Sequence, residues 1–371
     1  MGKWVDKLTI QGFKSIRRLD DFELRPLNVL IGANGAGKSN FVSFFRLLRD
    51  MVDQRLQLTV AKQGGADGFL FNGPKITQRI VGKLYFDLNG YEFALEPTAS
   101  NKLVFSSEVL YFAGLLYPNP VRRQLGTGHE ESKLGEAFET HGEGSIASYV
   151  YPAVSNWVVY HFHDTSETAA IKRACSVRDY EELRPDGSNL AAFLFRMQER
   201  NKPSYDLIRD TVRMVAPFFD DFRLRPQKSG EDEVVQLEWA QAGSDYPFHP
   251  SQLSDGTLRF ISLATTLLQP SPPFTILVDE PELGLHPYAL SLLASLLQQA
   301  AAKGTQVIVS TQSAPLLNSF DPSDIVVVDR AAGETRFRRL SLEELRSWLD
   351  EDYSLGELWQ KDVYGGGPAH E

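Results

Sequence analysis

The sequence predicts an α/β protein with a mostly parallel central sheet that helices cover on both faces. Residues 28 to 48, "NVLIGANGAGKSNFVSFFRLL", have the pattern of an apolar strand, a glycine-rich loop and an amphipathic helix. After residue 250 the apolar segments "FTILVDE", "TQVIVST" and "DIVVVDR" alternate with helical patterns. Continuous apolar strands separated by helices are typical of parallel strands that are buried on both faces.

The N-terminal elements predict a second, antiparallel sheet. Residues 4 to 31 have the pattern of two short strands joined by a polar turn. Further along, two alternating segments flank Asn89-Gly90, which is a strong hairpin signal. Together with the helix that begins at Ser39, these elements predict that residues 1–112 combine one part of the central sheet with an antiparallel β subdomain.

The middle and the end of the chain predict two further parts. Residues 113–250 are polar and rich in loops, and they contain two helical patterns separated by Pro203, so we expect an inserted, largely helical lobe. Residues 251–371 return to strands and helices in regular alternation. This last part is predicted to complete the central sheet.

The composition is that of a globular protein, with 371 residues, 42% of them hydrophobic and 23% charged. The single cysteine, Cys175, agrees with a reducing compartment. The first ten residues contain no apolar signal core and no run of 18 apolar residues occurs, so we expect a cytoplasmic protein with no membrane partner. The net charge of −10 argues against nonspecific coating of nucleic acid, although a local basic surface could still contact DNA.

Residues 32–39, "GANGAGKS", match the phosphate-binding pattern G-x-x-x-x-G-K-[ST] without a gap. We call this segment the phosphate loop. Its glycines allow backbone N–H groups to surround phosphates, Lys38 reaches the terminal phosphates, and the Ser39 hydroxyl binds Mg²⁺. The following helix directs its positive end at the same anion. The pattern predicts binding of ATP and Mg²⁺, and the candidate nucleotide contacts here are Asn34, Gly35, Ala36, Gly37, Lys38, Ser39 and Asn40.

An acidic pair some 240 residues later supplies the other half of a hydrolytic site. The apolar strand "FTILV" ends at Asp279 and Glu280. Asp279 is suited to hold Mg²⁺, and Glu280 can polarise the attacking water as a general base. The alternative interpretation is that Asp279 and Glu280 are two solvated acids at the end of a strand, without a catalytic role. The presence of the upstream phosphate loop disfavours this alternative.

The segment "LSDG", with Ser254 and Gly256, stands at the start of a predicted helix. A hydroxyl and backbone N–H groups at a helix start can bind a phosphate. The chain already has one phosphate loop, so a second anion site suits the nucleotide of a partner copy, with two chains arranged head to tail. The simpler interpretation is that Ser254 is an ordinary helix cap. The position of the segment 23 residues before Asp279 favours a contact with the nucleotide of the partner.

With these motifs in order, the chain resembles ABC-type ATPases of the SMC, RecF and OLD-like class, which are also grouped as AAA-family ATPases. The segments that carry the resemblance are "LTIQGFKSIRRL", "LSDGTLRF", "DEPELGLHP", "QVIVSTQS" and "YSLGELW". The long coiled coil of a chromosome-organising member and a fused nuclease are both missing from the pattern. The resemblance implies a P-loop NTPase fold, an ATPase head that forms homodimers or higher homo-oligomers around ATP, and a stand-alone bacterial protein.

The resemblance also assigns roles to residues. It implies that Gly37, Lys38 and Ser39 bind phosphate and Mg²⁺, that Asp279 is the second metal ligand and that Glu280 is the general base. Ser254 and Gly256 would contact the nucleotide of the partner. Phe13 and Lys14 lie where this class approaches the adenine. The candidate catalytic residues are thus Glu280, Lys38 and Gln312, the candidate metal ligands are Ser39 and Asp279, and the further nucleotide contacts are Lys14, Ser254 and Gly256.

Two departures from the class affect the expected turnover. The class usually has a switch histidine where this chain has Gln312 in "VSTQS". A glutamine can donate a hydrogen bond to the γ-phosphate but cannot carry a positive charge or a proton, so we expect slow hydrolysis. The glutamine that couples the first helix to the metal is either Gln63 or Gln78, and the sequence does not decide between them.

His161 and His163 in "YHFHDTS" suggest a metal site, because alternate residues of a strand face the same side. Two histidines without a third ligand at a defined spacing are more often structural. We therefore predict no metal beyond Mg²⁺.

The sequence thus predicts an ATPase that dimerises around ATP and controls a DNA-related process. The resemblance implies DNA repair or anti-phage defence, together with a separately encoded nuclease or other effector. One alternative is an ATP-gated scaffold with negligible hydrolysis. A transporter subunit is a second alternative, which the incomplete "LSGGQ" segment and the missing histidine disfavour.

Overall fold

The computed structural model describes residues 4–114, 119–244, 246–349 and 353–367. Its strands are β1 Lys7–Phe13, β2 Ile16–Glu23, β3 Leu27–Ile31, β4 Ile80–Phe86, β5 Asn89–Pro97, β6 Leu103–Phe112, β7 Val121–Gly126, β8 Trp157–Tyr160, β9 Cys175–Ser176, β10 Phe219–Arg223, β11 Gln227–Ser229, β12 Asp232–Val235, β13 Glu238–Gln241, β14 Pro247–Phe248, β15 Thr275–Asp279, β16 Gln306–Thr311, β17 Ile325–Ala331 and β18 Glu334–Arg339. Its α-helices are α1 Lys38–Val52, α2 Leu56–Lys62, α3 Leu134–His141, α4 Ile146–Ser155, α5 Leu190–Arg200, α6 Lys202–Val215, α7 Asp255–Leu268, α8 Pro287–Ala302, α9 Ala314–Leu317, α10 Leu342–Leu349 and α11 Leu355–Gln360.

The central sheet has six strands in the order β18-β17-β3-β16-β15-β8. The five strands from β17 to β8 are parallel, and β18 is antiparallel to β17. All residues of β3 and β16 are buried, as expected for inner strands of a parallel sheet that is covered on both faces. This sheet confirms the predicted α/β class.

A second sheet, in the order β2-β1-β4-β5-β6-β7, is antiparallel throughout. Helix α1 joins the two sheets, because its rings Phe41, Phe44 and Phe45 pack in one core with Leu30 of the central sheet and Leu84 of the antiparallel sheet. The opposite face of the central sheet packs on α7 and α8. The predicted antiparallel part of the N-terminal region is therefore confirmed.

The sequence predicts two strands in residues 4 to 31, whereas the structure has three, β1, β2 and β3. Strand β2 pairs with β1, whereas β3 belongs to the central sheet. The apolar residues of β2, Ile16, Leu19 and Phe22, are three positions apart, and between Leu19 and Phe22 the pairing with β1 is shifted by a bulge opposite Thr9. A search for strict alternation does not recognise such a strand.

The predicted hairpin is present, but its turn is two residues earlier. Phe86 pairs with Asn89, so the turn consists of Asp87 and Leu88. Asp87 has the left-handed conformation with φ +56°. Gly90 is needed for a different reason, since a Cβ there would lie 2.7 Å from the ring of Tyr85 on the paired strand.

The segment 113–250 contains the two predicted helices, α5 and α6, together with α3, α4 and strands of both large sheets. Strand β7 extends the antiparallel sheet and β8 forms one edge of the central sheet. Pro203 lies in the first turn of α6, where its missing N–H costs nothing, and the side chain of Asn201 caps this helix. The division of the chain at residues 112 and 250 stays a prediction.

The parallel strands bring the predicted site together. The phosphate loop follows β3, Gln312 follows β16, and β15 ends at Asp279, so all three lie at the carboxyl edge of the sheet. Among the described residues, no helix combines the length and the apolar composition that crossing a membrane requires.

Candidate nucleotide-binding site

The phosphate loop depends on glycine at two positions where the backbone is crowded. A Cβ at Gly32 would collide with the carbonyl oxygen of Val328, and a Cβ at Gly37 would collide with the hydroxyl of Thr335. Gly37 also has a left-handed φ of +114°, which turns the chain into α1. Asn34 and Gly35 are exposed at the tip of the loop.

A small hydrogen-bond network links the phosphate loop to β18 and to the turn between β1 and β2. The Thr335 hydroxyl donates to the carbonyl of Ala36 at 2.8 Å and lies 2.7 Å from the Ser15 hydroxyl. The side-chain amide of Asn40 donates to Ser15 at 2.6 Å. Asn40, a predicted nucleotide contact, thus has a structural partner. Ser15 explains why "GFKSI" precedes the loop, whereas no local pattern signals Thr335, 320 residues away from it.

Lys38 is buried, with 5% of its surface exposed. Its ammonium donates to the carbonyls of Gly32 at 2.6 Å and Ala33 at 3.1 Å. Burial lowers the pKa of Lys38, and the nearby carboxylates of Glu280 and Asp279 oppose this shift. From the sequence we expect a lysine in a solvated loop, and no sequence pattern indicates that Lys38 is enclosed. Its position places a positive charge in the phosphate loop, where the ammonium and the backbone N–H groups would together face a bound polyphosphate.

The acidic pair is held by the neighbouring strand β16. The Ser310 hydroxyl donates to the Asp279 carboxylate, and the backbone N–H of Glu280 donates to the carbonyl of Ser310 at 2.8 Å. Glu280 itself has a left-handed φ of +44°, which is an uncommon conformation for a glutamate.

Gln312 contacts the predicted general base. Its side-chain amide donates to a carboxylate oxygen of Glu280. The contact that the sequence predicts between this amide and the γ-phosphate of ATP stays a prediction. Gln312 therefore belongs to the same cluster as Glu280.

His163 joins the site by an unexpected contact. Its Nε2 donates to the backbone carbonyl of Asp279 at 2.8 Å, and the rings of His161 and His163 lie 4.2 Å apart. Burial lowers the pKa of His161, and the neighbouring His163 and Arg46 add to that effect. The alternating "HFH" after β8 is the signal that could have placed these residues here.

Ser254 begins α7 as predicted. Its hydroxyl oxygen accepts the backbone N–H of Thr257 at 3.1 Å, and the side chain is exposed. Gly256 is buried, and a Cβ there would collide with the carbonyl of Gly284 in the loop that follows the acidic pair. We call residues 280–286 the catalytic loop, after the predicted role of Glu280, and the start of α7 is in direct contact with this loop within one chain.

Arg259 strengthens the contact between α7 and the catalytic loop. Its guanidinium donates to the carbonyls of Phe162 at 3.0 Å and His163 at 3.3 Å, and also to that of Leu283. Within "LSDGTLRF" no local pattern marks this arginine as part of the site. Arg259 is buried, at 7% exposure, and it links α7 to the catalytic loop through the carbonyl of Leu283.

The residues predicted near the adenine differ in accessibility. Phe13 is fully buried and packs on Phe44 at 5.3 Å, so its ring belongs to the core. Lys14 is half-buried, with its ammonium 5.6 Å from the ring centre of Phe69, and burial lowers its pKa. Gln63 follows α2 and Gln78 precedes β4; both are exposed, and the choice between them stays open.

The donor atoms fit the group that the motif implies. The exposed Ser39 hydroxyl and the Asp279 carboxylate are oxygen ligands, which Mg²⁺ prefers. The crowded glycines and the enclosed ammonium of Lys38 form a cradle for phosphates. Ser39 and Asp279 are the residues that would hold the metal.

Known proteins with related sequences and structures point the same way. Residues 27–318 match the protein family described as "AAA domain, putative AbiEii toxin, Type IV TA system". Over 333 residues the chain is 29% identical to UvrABC system protein A from Mycoplasmopsis pulmonis (strain UAB CTIP). That match covers 85% of this chain and 31% of the relative, so the chain spans less than a third of the relative's length.

Two solved SMC heads share the fold. One, bound to the C-winged helix domain of ScpA, has a TM-score of 0.61 and 15% identity and covers 93% of this chain and 99% of its own. The other, with an extended coiled coil and bound to the C-terminal domain of ScpA derived from Pyrococcus furiosus, has a TM-score of 0.58 and 16% identity, covering 94% and 99%. The architecture of this chain is that of an SMC head.

Proposed function

The chain belongs to this AAA-domain family and is an ATPase of the SMC- and RecF-like ABC type, and on that basis we propose that it hydrolyses ATP as a dimer that controls a DNA-related process. The coarse activity follows from the family. The dimer, the metal and the process are the parts that experiments must test.

We assign the chemistry to a few of the chain's residues. Lys38 and the loop N–H groups bind the phosphates, and Asp279 with Ser39 holds the Mg²⁺ that neutralises charge on them. Glu280 takes the proton of the attacking water as general base. Gln312 supports this role, since its amide already orients the Glu280 carboxylate.

The position of Ser254 carries the proposal of a dimer. Its exposed hydroxyl stands at the start of a 14-residue helix, so it can contact a phosphate that a second chain presents. Gly256, two residues on, is packed on Gly284 of the catalytic loop. Nucleotide bound between two chains would thus be sensed directly beside Glu280.

Association of the chains tests this proposal. Glu280→Gln should retain ATP, and we expect light scattering to show an ATP-dependent gain in mass that ADP does not produce. Adding Ser254→Arg should reverse the gain, because bulk and charge then occupy the docking position. Ser145→Arg is the matched control, since the Ser145 oxygen likewise accepts the N–H three residues on, at the start of α4.

The proposed dimer would be contradicted by a Glu280→Gln protein that binds ATP without an increase in assembly mass. An ATP-dependent increase in mass that Ser254→Arg does not reverse would contradict it as well. If the protein is already a larger oligomer without nucleotide, distance probes on either side of Ser254 replace the mass as readout, and a spacing that ignores ATP is the contradicting result.

Turnover of the wild-type protein is expected to be slow. Gln312 stands where a protonatable histidine would assist, so we expect at most about 1 s⁻¹ in a steady-state phosphate-release assay without a partner. Double-stranded DNA is the first partner to add to the same assay. Tens of turnovers per second for the chain alone would contradict this interpretation of Gln312, whereas no turnover under any condition would favour the ATP-gated scaffold.

The biological process rests on the resemblance of the motifs. The resemblance to this class supports DNA repair or anti-phage defence, with a separately encoded effector, as the process. The family description names a toxin of a toxin–antitoxin system, which supports the defence arm of this proposal.

A further inference from the structure

Glu282, two residues after the general base, binds the end of the neighbouring strand β16. One of its carboxylate oxygens accepts both the Thr311 hydroxyl at 2.7 Å and the backbone N–H of Gln312 at 2.8 Å. The side chain is half-buried. Glu282 therefore fixes the main chain of the residue whose side chain touches Glu280.

Gln312 is consequently held at both ends by glutamates. Its backbone N–H donates to Glu282 and its side-chain amide donates to Glu280. A glutamine side chain has several rotatable bonds, so fixing its main chain limits where the amide can reach. The hydrogen bond from the Gln312 amide to Glu280 depends on this restriction of the Gln312 side chain.

The pairing of β15 with β16 does not require this carboxylate. The two strands are already aligned in parallel up to Asp279 and Ser310, and the Glu280 N–H continues the alignment by donating to Ser310. A carboxylate is also a costly choice here, because burial raises the pKa of Glu282 and its second oxygen is buried without a partner among the described residues.

We propose that Glu282 is a positioning residue for hydrolysis, which acts through Gln312 to keep the Glu280 carboxylate oriented towards the attacking water. This inference rests on the proposed ATPase function. It concerns a residue that makes no contact with the reacting atoms, so its effect appears in the catalytic step and not in nucleotide affinity.

A double-mutant cycle in the 371-residue chain tests the inference. We expect Glu282→Ala to lower kcat by about 10- to 100-fold, the cost of a misplaced catalytic group, with KM for ATP nearly unchanged. Glu282→Gln keeps one acceptor oxygen and should stay within about fivefold of wild type, roughly the worth of one hydrogen bond. In a Gln312→Ala background, Glu282→Ala should change kcat by no more than about twofold, since the side chain through which Glu282 acts on Glu280 is gone.

Glu131 offers a matched control, because its carboxylate also accepts two backbone N–H groups, those of Leu56 at 2.8 Å and Gln57 at 2.9 Å. Glu131→Ala should leave kcat unchanged. If Glu282→Ala cannot be purified folded, Thr311→Val removes one of the two donors and should lower kcat in the same Gln312-dependent way.

The possible outcomes distinguish a failure of the inference about Glu282 from a failure of the proposed ATPase function. Equal losses of kcat from Glu282→Ala in both backgrounds, or a Glu282→Gln variant as impaired as Glu282→Ala, would overturn the inference while hydrolysis by the wild type stands. Absence of hydrolysis by the wild type would overturn the proposed function and this inference with it.

Discussion

Lys38→Ala is expected to abolish ATP binding while leaving the fold intact. The ammonium is already enclosed by the phosphate loop, and it would supply charge-assisted hydrogen bonds to the phosphates. Two such bonds, at about 1.5–3 kcal/mol each, amount to a loss of at least about 100-fold in affinity. Titration with a fluorescent ATP analogue should detect no binding at micromolar protein.

The stability of this variant is expected to change little. Burial lowers the pKa of Lys38, which means that folding disfavours its charged form and that removing the ammonium relieves this cost. The carbonyls of Gly32 and Ala33 lose their donor in exchange. Because the two effects oppose each other, we expect a change in Tm of no more than about 3 °C.

Lys172→Ala is the control for burial of a lysine as such. Lys172 is 6% exposed and its ammonium donates to the carbonyl of Thr165 at 2.5 Å, away from the phosphate loop. This variant should keep its affinity for ATP. Unchanged affinity of Lys38→Ala, or an equal loss in both variants, would contradict the assignment of the phosphate loop.

Local patterns were sufficient to predict the parts of this site that lie next to one another in the chain. The run from β3 through the phosphate loop to α1, and the strand that ends at Asp279, were both recognisable because periodicity and spacing are local properties. The start of α7 at Ser254 was recognisable from its capping residue.

The contacts between distant segments could not be predicted in this way. Ser15 and Thr335 are 320 residues apart, and their meeting under the phosphate loop depends on the pairing of β17 and β18 beside β3. The position of β8 at the edge of the central sheet likewise brings His163 to Asp279 across 116 residues. Only the order of strands in the sheet decides such contacts.

Glu280→Gln should abolish most of the hydrolysis without loss of ATP. Loss of general-base assistance typically costs about 10²- to 10⁴-fold in rate, which corresponds to about 3–5 kcal/mol of barrier. The substitution keeps the size of the side chain and leaves an amide oxygen that can accept the amide of Gln312. Asp279 and Ser39 remain, so metal and nucleotide binding should be retained.

Single-turnover phosphate release at saturating ATP measures this loss, and a nucleotide titration of the same sample measures affinity. The conformation of Glu280 makes the experiment specific. Its left-handed φ of +44° is unfavourable for long side chains, and Glu and Gln share that strain, so the variant differs from wild type only in charge and basicity. A variant that releases phosphate at the wild-type rate would show that another group activates the water, and Glu280 would then be a structural neighbour of the metal site rather than the base.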